Sequence, residues 1–94
     1  MSELSERVIE VPYSHLYPGI VLDAPAGTDD FLILFADDSE SRVQLLADDT
    51  GRPVLRVGGY MTARGTVVDE RVWTVRETVR DGGRVRLRLG RSLH

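Results

Sequence analysis

The amino-acid sequence predicts an all-β protein, a small antiparallel barrel or rolled sandwich of about seven or eight short strands with no substantial helix. Turn-forming residues recur roughly every eight to twelve positions, which is the spacing found in barrels and sandwiches. Several segments between these turns alternate apolar and polar side chains, the period of a half-buried strand. No segment keeps a helical period over about eleven residues or more, so helices are not expected.

The elements follow in order along the chain. Residues 1–7 are polar and are expected to form a flexible tail, with residues 8–94 forming a single β domain. Phe31–Phe35 is apolar on both faces, which favours a strand buried on both sides. Pro53 stands where a strand can begin, because its missing N–H is tolerated there. The predicted strands are Val8–Tyr13, Ile20–Asp23, Phe31–Phe35, Ser41–Ala47, Pro53–Val57, Tyr60–Val68, Val72–Val79 and Val85–Leu89.

Two of the predicted loops share a sequence motif. Ala36-Asp37-Asp38-Ser39 is followed by a second copy, Ala47-Asp48-Asp49-Thr50. Asp and Ser side chains close turns by hydrogen-bonding their own backbone, so both copies predict hairpin turns. The same loops supply a candidate acidic patch, which consists of Asp37, Asp38, Glu40, Asp48 and Asp49.

Charge is distributed unequally between the two halves of the chain. Residues 1–50 have a net charge of −9 and residues 51–94 a net charge of +6, which the total of −3 conceals. Such asymmetry bears on association with partners. Arginine supplies every basic residue, and with frequent Val, Gly, Ala and Asp this composition is typical of a GC-rich actinobacterial or phage genome. The acidic isoelectric point, about 5.3, argues against a dedicated nucleic-acid-binding domain.

The last hairpin concentrates the arginines. Side chains alternate with period two, so a three-residue turn at Asp81–Gly83 places Val79 opposite Val85 and Val75 opposite Leu89. Five arginines that share the other face repel one another, and an acidic surface is expected to cover them. The acidic half of the same chain, a second copy of the chain and an external anion such as nucleic-acid phosphate are the alternatives. This candidate binding ribbon consists of Arg76, Arg80, Arg84, Arg86 and Arg88.

The stretch from Val72 to Arg91 is similar to the terminal hairpin of phage head–tail joining proteins. In that family a strand with Trp or Tyr, a turn containing Gly and a final strand close a small β domain that assembles into a ring. The similarity covers this one hairpin, and the spacing between Phe31–Phe35 and Trp73 departs from the family pattern. It implies ring assembly for this chain.

A candidate pocket is formed by Tyr13, His15 and Tyr17, which an extended backbone would place on one face. His titrates near neutrality and could move a proton there. The chain has no cysteine, which excludes disulfides, thiolate nucleophiles and cysteine-ligated metals. It has two histidines and no complete calcium-binding loop, so we expect no metal site and no cofactor. No residue is identified as catalytic, and an enzyme is not favoured.

These observations favour a non-enzymatic interaction or assembly module. The expected partner is a protein or a second copy of the chain, which would give a homo-oligomer through the acidic patch and the arginine ribbon. A small-molecule-binding barrel or an enzyme without a known motif is the first alternative, and nucleic-acid binding is the second. Neither a membrane span nor a signal peptide is recognised, so a cytoplasmic protein is expected. The predicted core contains Ile20, Leu22, Phe31, Ile33, Phe35, Val43, Leu45, Val67, Trp73, Val75, Val79, Val85, Leu87 and Leu89.

Overall fold

The all-β prediction is confirmed. A computed structural model describes residues 8–27 and 29–93 as a nearly closed, seven-stranded, barrel-like sheet with a separate two-stranded hairpin. The predicted N-terminal tail, residues 1–7, lies outside the described residues. The strands are β1 (Val8–Glu10), β2 (Val21–Pro25), β3 (Asp30–Leu34), β4 (Glu40–Ala47), β5 (Pro53–Val57), β6 (Tyr60–Met61), β7 (Val67–Val68), β8 (Arg71–Asp81) and β9 (Arg84–Leu93).

The main sheet has the order β1-β3-β4-β5-β8-β9-β2, and β6 pairs with β7 in the small hairpin. All neighbours in the main sheet are antiparallel except β1 and β3, which are parallel. The sheet is therefore mixed, because β3 runs beside β1 in the same direction. Strands β1 and β2 lie at its two opposite edges. Contacts between β1 and β2 bring these two edges together and nearly close the barrel.

The core forms from the inward positions of the strands, largely as expected. Predicted core residues that are buried are Ile20, Leu22, Phe31, Ile33, Phe35, Val43, Trp73, Val85, Leu87 and Leu89. Leu45 and Val75 are half-buried and pack against this cluster. The core also takes in Ile9, Val11, Ala24, Val54, Leu55 and Val57, which the sequence analysis did not include.

The predictions for Val67 and Val79 are wrong, since the two side chains are 65% and 43% exposed. The predicted strand Tyr60–Val68 is in fact the β6–β7 hairpin, whose turn places Gly65 at φ +87°. Val67 pairs with Met61 on the outer face of this hairpin, whereas Tyr60 and Val68 pair on the face toward the barrel. Val79 faces outward because the last hairpin has a different register from the one predicted.

One polar side chain, Ser41, is buried among the described core residues. Its hydroxyl donates a hydrogen bond of 2.7 Å to the carbonyl oxygen of Gly58. The Gly58 N–H donates in turn to the carbonyl oxygen of Arg42 at 2.8 Å. A Cβ at Gly58 would stand 3.3 Å from that oxygen, so glycine permits this close approach of β5 to β4.

Candidate functional site

The last hairpin has a two-residue loop, Gly82-Gly83, which corrects the predicted three-residue turn. The positive φ falls at Gly82 alone, as in a type II′ turn, where glycine takes the first central position. Asp81 pairs with Arg84 and Val79 with Arg86, one residue away from the predicted pairing. The predicted pair of Val75 and Leu89 is confirmed, because register shifts on each side of Val75 restore that alignment locally.

This register does not place the arginine ribbon on one uniformly basic face. Directly paired residues share a face, so Arg80 lies on the face of its buried partner Val85. The outer face carries Arg84, Arg86 and Arg88. These three arginines pair across the strands with Asp81 and Glu77 of β8 and with Asp23 of β2.

Several of these charges already interact within the chain. Arg84 Nε lies 3.2 Å from Asp23 Oδ1, and its Nη2 donates to the Asp23 carbonyl oxygen at 2.9 Å. Arg88 Nε lies 3.5 Å from Glu77 Oε1. The acidic groups expected over the arginines thus stand beside them in the same sheet, and exposed pairs of this kind contribute little stability.

Arg76 and Thr74 pack over Gly90. A Cβ built at Gly90 would lie 2.2 Å from Thr74 Oγ1 and 2.8 Å from Arg76 Cγ. The Arg91 N–H donates to Thr74 Oγ1 at 2.9 Å, which holds the threonine side chain in this position. Glycine at position 90 therefore permits the irregular pairing between β8 and β9.

The acidic residues do not form a single patch, because the eight residues of β4 separate the two turns that carry them. A strand of this length spans about 23 Å at about 3.3 Å per residue. Asp37, Asp38 and Glu40 lie at one end of β4, and Asp48 and Asp49 follow the other end. The predicted turn chemistry is confirmed: Asp37 Oδ1 accepts from the Ser39 N–H, and Asp48 Oδ1 accepts from the Thr50 N–H.

The structure brings Tyr13, His15 and Tyr17 together, in a loop rather than in an extended strand. The ring centroids of Tyr13 and Tyr17 are 5.3 Å apart, and those of His15 and Tyr17 are 6.4 Å apart, both in edge-on arrangements. The three residues nevertheless face two different depressions. Tyr13 and Tyr17 line a groove between β1 and β2, whereas His15 lines a larger cleft at the end of the barrel.

This end cleft has a volume of about 690 Å³. Its floor is formed by the core residues Val57 and Trp73. Tyr60 adds a second aromatic ring, which stacks on Phe35 with centroids 4.7 Å apart. Three parts of the chain supply the walls, namely the loop at residues 14–16, the β6–β7 hairpin and the start of β8.

The β6–β7 hairpin is held against the barrel by Asp37. The Ala63 N–H, at the tip of the hairpin, donates to Asp37 Oδ2 at 3.1 Å, while the Ser39 N–H and hydroxyl donate to Oδ1. These hydrogen bonds, first the one from the Ser39 hydroxyl and then the one from Ala63, lower the pKa of Asp37. The carboxylate thus keeps its charge and fixes one wall of the cleft.

Charged side chains of both signs line the cleft. Two arginines, Arg64 and Arg71, and two carboxylates, Asp37 and Asp69, balance each other formally. Burial raises the pKa of Tyr60, and the charge of Asp37 raises it further. The Tyr60 phenol therefore stays protonated near neutral pH, so it can donate or accept a hydrogen bond at the cleft.

Sequence reasoning placed Trp73 in the core and His15 in a pocket, but it did not single out Arg71 or Asp69. Their alternation with Trp73 is the one sequence signal that could have joined these three residues on one face.

Within residues 8–27 and 29–93, no helix is long and apolar enough to cross a membrane, and no group of three or more metal-ligating side chains occurs. Comparison with protein-family models, with curated proteins and with solved structures finds no significant match.

Proposed function

We propose that this chain is a cytoplasmic small-molecule-binding protein that holds its ligand in the end cleft. One observation carries the proposal, namely a cleft of about 690 Å³ with an apolar, aromatic floor and a polar rim. Ligand sites are typically concave, about 300–1,000 Å³ in volume, and lined mainly by apolar and aromatic side chains with a few polar groups. The cleft falls within this range of volume and has apolar and aromatic side chains at its floor, although its rim is richer in polar and charged side chains than is typical.

The aromatic floor suits a flat, apolar ligand. Trp73 is only 6% exposed and Tyr60 is fixed by its stack on Phe35. Both rings are therefore already ordered and lose little conformational freedom when a ligand binds. Preorganised side chains reduce the entropic cost of binding. The polar rim then sets the orientation of the ligand.

Fluorescence of Trp73, the only tryptophan in the chain, tests this proposal directly. We expect the uncharged aromatic probe 3-phenylpropionamide to change the Trp73 emission in a saturable way. A small ligand gains about 0.3 kcal/mol of binding free energy per heavy atom, so the dissociation constant of this probe is expected to be in the millimolar range.

Two matched variants locate the effect. Thr66→Phe fills the cleft and should abolish saturable binding, because Thr66 is one of its exposed wall residues. Thr78→Phe makes the same change on β8, away from the cleft, and should bind the probe as the unmodified chain does. A response that does not saturate, or that is equal in both variants, would contradict the proposal.

We also propose a second function, in which the chain is an interaction module that associates with a protein or with a second copy of itself through the last hairpin. It is supported by the edge of β8, since β5 pairs with β8 only from Arg71 to Thr74. Beyond that point the described sheet places no strand beside this edge, and Val79 is exposed among charged residues. An open strand edge is a template for pairing with another chain.

Light scattering after size exclusion, at low and high salt, tests the second proposal. Association through charge predicts a mass above the monomer that falls as salt screens the exposed charges. Arg86→Glu should lower the mass, while Arg42→Glu, the same charge change on β4, should not. A monomeric mass under both salt conditions would contradict this proposal. Nucleic-acid binding has less support, because acidic residues interrupt the arginine face.

A further inference from the structure

Three residues that line the cleft follow one another at alternate positions, Asp69, Arg71 and Trp73. Arg71 pairs across the sheet with Val57 and Trp73 with Leu55, so both lie on the inner face of β8. Asp69 lies just before β8 and lines the same cleft. The cleft wall therefore offers a carboxylate, a guanidinium and an indole ring within five residues of the chain.

Asp69 and Arg71, the charged residues of this row, form no ion pair within the described part of the chain. Glu70, between them, points the other way and pairs with Arg56. Neither Asp69 nor Arg71 lies within 4.0 Å of an oppositely charged group among residues 8–27 and 29–93. Asp37, the other cleft carboxylate, accepts hydrogen bonds from the β6–β7 hairpin and from its own turn.

We infer that the ligand is a small zwitterion with a ring-bearing side chain, of the α-amino-acid type, an inference that rests on the proposed function. Its carboxylate binds the planar fork of the Arg71 guanidinium, which matches a carboxylate in geometry. Its ammonium group binds Asp69, and its ring lies against Trp73. A ligand with both charges also suits a cleft whose own charges balance, whereas a simple anion or cation would leave Asp69 or Arg71 without a counter-charge.

Four probes that share one phenyl ring separate the contributions of the head group. They are phenylalanine, 3-phenylpropionate, which lacks the ammonium group, phenethylamine, which lacks the carboxylate, and the uncharged 3-phenylpropionamide. None absorbs at the red edge of the indole band, so Trp73 emission reports on each titration. We expect phenylalanine to bind about two- to fivefold more tightly than 3-phenylpropionate or phenethylamine, because each ion pair at a partly exposed site contributes up to about 1 kcal/mol. It should bind more tightly still than 3-phenylpropionamide, which makes neither ion pair.

Two substitutions give opposite patterns if the inference holds. Arg71→Met should weaken binding of phenylalanine and phenylpropionate and leave phenethylamine unchanged. Asp69→Asn should weaken binding of phenylalanine and phenethylamine and leave phenylpropionate unchanged. Both positions are exposed, so the fold should tolerate either change. Arg42→Met and Asp49→Asn, the same changes away from the cleft, should alter none of the affinities.

The outcomes separate this inference from the proposed function. If phenylpropionamide binds and phenylalanine binds no more tightly, the function stands and the zwitterion inference is overturned. Tightest binding of phenylpropionate or of phenethylamine also overturns it, in favour of a simple anion or cation site. If no probe gives a saturable change in emission, both the inference and the proposed function fail.

Discussion

Replacing Gly90 with alanine tests the irregular pairing of β8 and β9. The added Cβ would lie 2.2 Å from Thr74 Oγ1 and 2.8 Å from Arg76 Cγ, well inside ordinary contact distance. Thr74 cannot rotate away without losing its hydrogen bond from the Arg91 N–H. Overpacking of this kind typically costs about 1–3 kcal/mol in the free energy of unfolding. In a domain of this size each kcal/mol lowers Tm by about 4–8 °C.

Urea unfolding followed by Trp73 emission measures the effect, and an unchanged m-value would show that only stability has changed. Gly83→Ala is the matched control, since no heavy atom lies within 4 Å of its Cβ position and its φ is not left-handed. That control should stay within about 0.5 kcal/mol of the unmodified chain. Thr74→Ala in the Gly90→Ala background removes the closest atom, so the double variant should be less destabilised than the sum of the singles. Equal stability of Gly90→Ala and Gly83→Ala would refute the described packing.

Three further predictions concern stability. Leu55→Ala should cost about 2–5 kcal/mol because Leu55 is fully buried, whereas Leu46→Ala, at a side chain 43% exposed, should cost clearly less in the same urea assay. Ser41→Ala leaves the part-buried Gly58 carbonyl without its hydroxyl donor and should cost about 0.5–1.5 kcal/mol, while Ser14→Ala at an exposed site should be nearly neutral. The pKa of Asp37 is lowered in the folded state, so the ionised carboxylate stabilises the fold. This stabilisation is complete above the ordinary carboxyl pKa, near 4, and is lost as the pH falls through the lower folded-state pKa. Asp37→Asn should therefore lower Tm at neutral pH and narrow its difference from the unmodified chain below about pH 4, as thermal unfolding across pH would show; equal Tm values at neutral pH would contradict this role.

Local features of the fold could be predicted from the sequence because they depend on neighbouring residues. Asp37 and Asp48 close their turns through their own backbones, and Pro53 begins β5 as expected. The hairpin register could not be predicted, because Asp81-Gly82-Gly83 is compatible with either a two- or a three-residue loop. Because side chains alternate with period two, a change of one residue in the loop moves the β8 side chains next to the turn, such as Val79 and Arg80, to the opposite face relative to β9.

The cleft could not be predicted because its parts are far apart in sequence. His15, Asp37 and Trp73 meet only through the order of the strands, and local patterns carry no information on that order. The split of the predicted strand Tyr60–Val68 was equally hidden, since Gly65 alone marks its turn. That split produces the hairpin wall, and without it the barrel end would have no such cleft.

Amide chemical shifts in a ¹⁵N-labelled sample, recorded during addition of phenylalanine, test the central claim most directly. Binding in the end cleft predicts saturable shifts clustered at residues 14–16, 57 and 60–73, with residues 84–88 of the arginine hairpin unaffected. Shifts centred on the hairpin, or no saturable shifts at all, would contradict a ligand site in the cleft.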